Sequence, residues 1–133
     1  MKNMMLSIVF MALVFTAVGL AKEKTKIVTV ITENTVESLL NGINSENVGL
    51  KTSAVSVSGK IKETKAVIPL MRLLKSSDDE RVRIQAAVSL HEIGDARGMY
   101  AIQRAIRFDS SERVKRICKL LYWDTTQSSE TGF

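Results

Sequence analysis

A self-similarity of thirty-two residues constrains this chain more than any other feature. Sliding the sequence by that distance lays Glu80-Arg81-Val82-Arg83 on Glu112-Arg113-Val114-Lys115, Ala86 on Cys118 and Leu90 on Tyr122. Upstream the frame holds, with Val67, Leu70 and Leu74 falling on Met99, Ile102 and Ile106, and Leu50, Ala54 and Ile61 matching Val82, Ala86 and Ile93. A first copy, one residue shorter in its loop, begins near Asn34. Each copy carries two helical patterns, and one helix pair cannot bury its apolar face alone, so the copies must stack. The expected fold is all-α, a right-handed α-solenoid of about three helix pairs over 34–65, 66–97 and 98–124.

The stretch from Ser77 to Asp95 sets the register physically. Ser77 stands three residues before Glu80, the spacing of a capping box, so a helix is expected to start near Asp78. Val82, Ala86, Leu90 and Ile93 follow in steps of four, four and three and form one apolar stripe, while Arg83, Gln85, Ser89 and Glu92 face elsewhere. Gly94 can turn left-handed past the helix end, and Asp95 can cap the next helix. Asn34 with Glu37, and Asp109 with Glu112, repeat the cap spacing for two other helices. A helix from about Asn47 to Ile61 is the weakest of the set, because Gly49, Ser53, Ser56, Ser58 and Gly59 lower its propensity while allowing a close neighbour.

Val82-Arg83-Ile84-Gln85-Ala86-Ala87-Val88-Ser89-Leu90-His91-Glu92-Ile93-Gly94-Asp95 resembles the second helix and turn of a HEAT repeat, in the short HEAT-like form also found in phycobilin lyases and many bacterial proteins. The resemblance extends over roughly Asn34 to Asp124 and implies HEAT-like pairs forming a curved scaffold for protein contacts. In that family the arginine after the repeat valine pairs with an acidic residue of a neighbouring repeat, which implies a structural role for Arg83. The resemblance also places the second helices along an inner face. By register this face takes Ser53, Val57 and Lys60, then Gln85, Ser89 and Glu92, then Ile117, Leu121 and Asp124.

The two ends differ from the repeats. Met1 to Ala21 has a short positive start at Lys2, an uncharged run from Met4 to Leu20 and small residues before Lys22-Glu23-Lys24, which reads as a signal peptide. The alternative is an uncleaved membrane anchor, since the run is at the lower edge of bilayer-spanning length. Export of either kind implies a periplasmic or secreted location in a bacterium. Residues 22–33, rich in β-branched side chains, are expected to be an extended lead-in covering the first pair, and 125–133 a polar, frayed tail.

Little in the sequence points to catalysis. His91 is the single histidine and Cys118 the single cysteine, so no intrachain disulfide or Cys/His zinc set can form. Cys118 aligns with core position Ala86 and should be buried; His91 should lie at a helix flank, solvated or locally paired. Asp78-Asp79-Glu80 serves a helix start, and no calcium-loop or phosphate-loop spacing accompanies it. No cofactor is expected. A lyase-type activity by analogy with phycobilin lyases rests on fold alone and finds no acid/base set.

Binding is the function these residues point to. From Arg97 to Lys119 seven basic residues face two acidic ones, including Arg104, Arg107 and Arg116, although the whole chain carries only +5. Ile117, Leu121 and Trp123 on the last helix add apolar anchors beside arginine, the composition of interface hot spots. The tail with Phe133 either folds over those anchors or leaves them open. The expected partner is a protein, with Gln85, Ser89, Glu92, Arg104, Arg107, Arg116, Ile117, Leu121 and Trp123 as contact residues. The alternative partner is an anionic envelope component, lipid or lipopolysaccharide, held by the basic third repeat. Nucleic acid is not expected, since the aromatic interleaving of single-strand binders is missing and the charge is mild.

Overall fold

The computed structural model describes residues 33–130, with side chains described through residue 128. The signal segment 1–21 and nearly all of the lead-in 22–33 lie outside the described residues. Among the described residues six helices follow one another: α1 over 33–43, α2 (Val48–Lys60), α3 (Val67–Ser76) entered through a single 3₁₀ turn at Thr64–Ala66, α4 (Glu80–Ile93), α5 (Ala96–Phe108) and α6 (Glu112–Glu130). No strand occurs among the described residues, and none of the described helices is long and apolar enough to cross a membrane.

Contacts between elements define two layers. The second helices form one, α2 packing on α4 and α4 on α6, and the first helices α3 and α5 pack on each other in the other. Within the pairs α3 lies on α4 and α5 on α6. This is an all-α solenoid, and its core repeats with the sequence. Val82 and Val114, Ala86 and Cys118, and Leu70 and Ile102 are matched positions one repeat apart, and all six are buried. Each fully buried Val, Leu or Ile among them contributes about 1.5–3 kcal/mol of transfer free energy.

Local signals fix the helix ends, and several of them differ from the spacing-based expectation; Asn34, for one, lies inside α1, which already begins at residue 33. Asn47 caps α2 by accepting from the Leu50 amide at 3.0 Å, and Gly94 closes α4 at φ 74°. Asp95 caps α5. The α4 cap, however, is Asp79 rather than Ser77, because Asp79 accepts from the Arg81 amide and is also gripped by the Arg81 guanidinium, whose hydrogen bonds hold its carboxyl at about 2. Arg97 does the same for Asp95. Ser77 is left to offer its carbonyl to Arg83. At α6 the capping oxygen belongs to Ser111, which accepts from the Arg113 and Val114 amides, while Asp109 is drawn away to Arg83.

The end of α6 is a further difference. The polar segment expected to fray after Asp124 continues as helix to Glu130. Thr125 donates to the Leu121 carbonyl, Ser128 to the Asp124 carbonyl, and Thr125 also reaches the Met99 sulfur at 3.9 Å. Hydroxyls that satisfy carbonyls of their own helix are compatible with its continuation, and no glycine or proline interrupts before Gly132.

Cys118 is fully buried between helices, and burial pushes its thiol up to about 11. The thiolate is the reactive form, so the folded chain should resist a disulfide reagent at pH 8 and be modified only as fast as it opens. Rapid stoichiometric labelling under native conditions would contradict this placement.

Candidate functional site

In the second and third repeats ion pairing leaves particular basic side chains uncompensated. Five carboxylates there are already paired with cations: Asp79 with Arg81, Glu80 with Arg113, Asp95 with Arg97, Asp109 with Arg83 and Glu112 with Lys115. Arg83 is the structural residue its position implied, bonded twice to Asp109 at 3.0 and 3.2 Å and donating to the Ser77 and Asp78 carbonyls. His91 is locally paired, at 3.2 Å from Asp124 across the α4–α6 contact. Among the described residues, Arg72, Lys75, Arg104, Arg107, Arg116 and Lys119 have no acidic partner.

The nine sequence-predicted contact residues do not share one surface. Gln85 and Glu92 lie on α4, half-buried and exposed respectively, and Ile117 and Leu121 are half-buried on α6, with Leu121 packed against the core. Arg104 and Arg107 are exposed on α5, in the other layer; Arg116 and Trp123 are exposed on α6.

Ser89 has to be removed from the contact set. It is fully buried and donates its hydroxyl to the Val55 carbonyl of α2 at 2.8 Å. The physical reason is that α4 is the middle helix of its layer, with α2 on one flank and α6 on the other. A helix with neighbours on several sides buries a wider arc than its apolar stripe, and Arg83 is buried on it for the same reason.

Two surfaces combine exposed apolar side chains with the leftover charge. On α6, Leu120 and Trp123 are three residues apart and 63% and 61% exposed, and Arg116 and Lys119 lie on the same side of the helix by spacing. Leu120 was missed in the sequence because its matched position in the previous repeat, Val88, attracts no attention either.

The second surface is a groove of about 170 Å³ between α3 and α5. Met71, Leu74, Ala101 and Ala105 give it an apolar lining. Tyr100 and Phe108, both strongly exposed, stand on its α5 side with Arg104 between them, the Arg104 guanidinium lying 5.7 Å from the centre of the Phe108 ring. That distance is within cation–π range. Tyr100, Arg104 and Phe108 are spaced by four residues. This second stripe on α5 was readable in principle, but the repeat register pointed to Met99, Ile102 and Ile106 instead.

No group of three or more His, Cys, Asp or Glu side chains suited to a metal ion occurs among the described residues.

Residues 36–121 match the family model for HEAT repeats. The chain belongs to the HEAT-repeat family, whose members are generally non-catalytic scaffolds that mediate contacts between proteins. A comparison with curated proteins found no match.

Proposed function

We propose that this chain is a small, non-catalytic protein-docking scaffold exported to the cell envelope or extracellular space, and that the exposed edge of α6 is its principal contact surface. One observation carries the reading: Leu120 and Trp123 stand open to solvent beside Arg116 and Lys119, which have no acid of their own. A large aromatic and an aliphatic side chain flanked by weakly committed cations is the composition that dominates binding energy at protein interfaces. Export is supported by the character of residues 1–21. The basic third repeat favours one further reading, attraction to anionic envelope lipid or lipopolysaccharide.

A salt-series capture from envelope extract separates the two. The scaffold reading expects one protein retained into high salt and lost when Leu120→Ser is combined with Trp123→Ala, since removing a hot-spot tryptophan costs about 2 kcal/mol or more. Mixed acidic material or lipid that elutes as salt screens the charges, unaffected by the double substitution, sinks it.

A further inference from the structure

The groove between α3 and α5 lies apart from the α6 edge and has three properties that together specify an occupant. Its size is the first. About 170 Å³ is close to the roughly 150 Å³ of an apolar cavity that accepts a benzene ring, and well below the roughly 300–1,000 Å³ of sites for drug-sized ligands. That is room for one large side chain. The second is the wall, where Tyr100 and Phe108 offer ring surface to whatever enters.

Charge is the third. Lys75 and Arg104 line the groove, and Arg72 and Arg107 are exposed on the same two helices. None of the four has an acidic partner among the described residues. The carboxylate in the lining, Asp109, is neutralised by its double hydrogen bond to Arg83. A second copy of this chain is a poor occupant through this face, because it would set like charges against one another.

We propose that the groove docks an acidic protein segment carrying one large apolar side chain, which enters between Tyr100 and Phe108 while neighbouring Asp or Glu residues pair with Lys75 and Arg104. Arg104 is pre-positioned for this by its stacking on Phe108, so less side-chain freedom is lost on binding. The surface is distinct from the α6 edge, and its partner can be a different protein or a second segment of the same one.

The test uses the purified full-length chain and three probes in fluorescence anisotropy and sedimentation: a labelled twelve-residue peptide of Asp and Glu with one central Phe, the same peptide with Ala in place of Phe, and phosphatidylglycerol vesicles. Saturable binding of the Phe peptide is expected. It should weaken about tenfold or more with Ala for Phe, and by a similar factor in Lys75→Glu and Arg104→Glu, where attraction becomes repulsion. Both substituted side chains are on the surface, and unchanged circular dichroism confirms the fold. The Leu120→Ser/Trp123→Ala chain should bind the peptide as the parent does, so failure here and failure of the α6-edge reading are separable. Equal affinity for the Phe and Ala peptides overturns the proposal, as does peptide binding indifferent to Arg104→Glu. Vesicle binding that Arg104→Glu abolishes, without peptide binding, overturns it in favour of a lipid surface.

Discussion

Asp109→Ala is expected to destabilise the fold by about 3–5 kcal/mol, because it leaves the Arg83 guanidinium buried without a counter-charge. The two side chains are only 10% and 6% exposed. Against a typical total stability of about 5–15 kcal/mol, such a loss removes a large fraction of what keeps the chain folded. Arg83→Ala should cost a similar amount. It frees the Asp109 carboxylate and also takes the donor from the Ser77 and Asp78 carbonyls. Replacing both partners at once by apolar residues, Arg83→Met with Asp109→Leu, should recover much of the loss, since the cost of a broken buried pair lies in the orphaned charge. Urea denaturation of the three variants measures this. A single substitution within about 1 kcal/mol of the parent would mean that water reaches the pair and that the clamp is ornamental.

Architecture was legible from the repeat because packing a solenoid depends on a few apolar positions per helix. Val82, Ala86 and Leu90 set one repeat and Val114 and Cys118 the next, and burial follows them closely. Helix ends were less legible. Both Ser77 and Asp79 satisfy a cap by spacing, and the choice went to Asp79 because Arg81, two residues on, can grip its carboxylate as well. Asp109 similarly fits a cap by spacing, but a buried arginine twenty-six residues away claims it and leaves the cap to Ser111. Local patterns compete with tertiary partners, and sequence spacing displays only the first of the two.

The candidate surfaces were legible in composition and not in grouping. The excess of arginine in the third repeat is plain, and Arg97 is spent on its near neighbour Asp95, but other pairs form only between segments that meet in the folded chain. Glu80 of α4, for instance, accepts from Ser111 and pairs with Arg113 across the repeat boundary. Arg104 and Arg116 look alike in sequence, yet one lines a groove with Tyr100 and Phe108 and the other borders Leu120 and Trp123 by helix spacing. Ser89 shows the converse error. A serine sharing a helix face with Gln85 and Glu92 reads as surface, and it is buried because the adjacent helix comes close enough to take its hydroxyl.

That close approach supplies the second large effect. Gly59→Ala is expected to destabilise the chain by about 1–3 kcal/mol, although alanine is about 1 kcal/mol the better helix former. The added Cβ would stand 2.7 Å from the Ser89 Cα and 2.8 Å from its Cβ, and the first of these is backbone that cannot swing aside. For the methyl to fit, α2 must move off α4, stretching the 2.8 Å hydrogen bond from Ser89 to the Val55 carbonyl. The two repeat boundaries are therefore held by different means: small residues and close helix approach between the first and second, an ionic clamp between the second and third. In a solenoid, stability is nearly a sum of repeat and nearest-neighbour terms, so the two variants should fail in different places. Gly59→Ala should lower hydrogen-exchange protection mainly in α1 and α2, and Asp109→Ala mainly across α4 to α6. An alanine variant as stable as the parent, or a uniform loss of protection from α1 to α6, would mean that α2 can shift freely against α4 and that Gly59 is not what holds the first boundary.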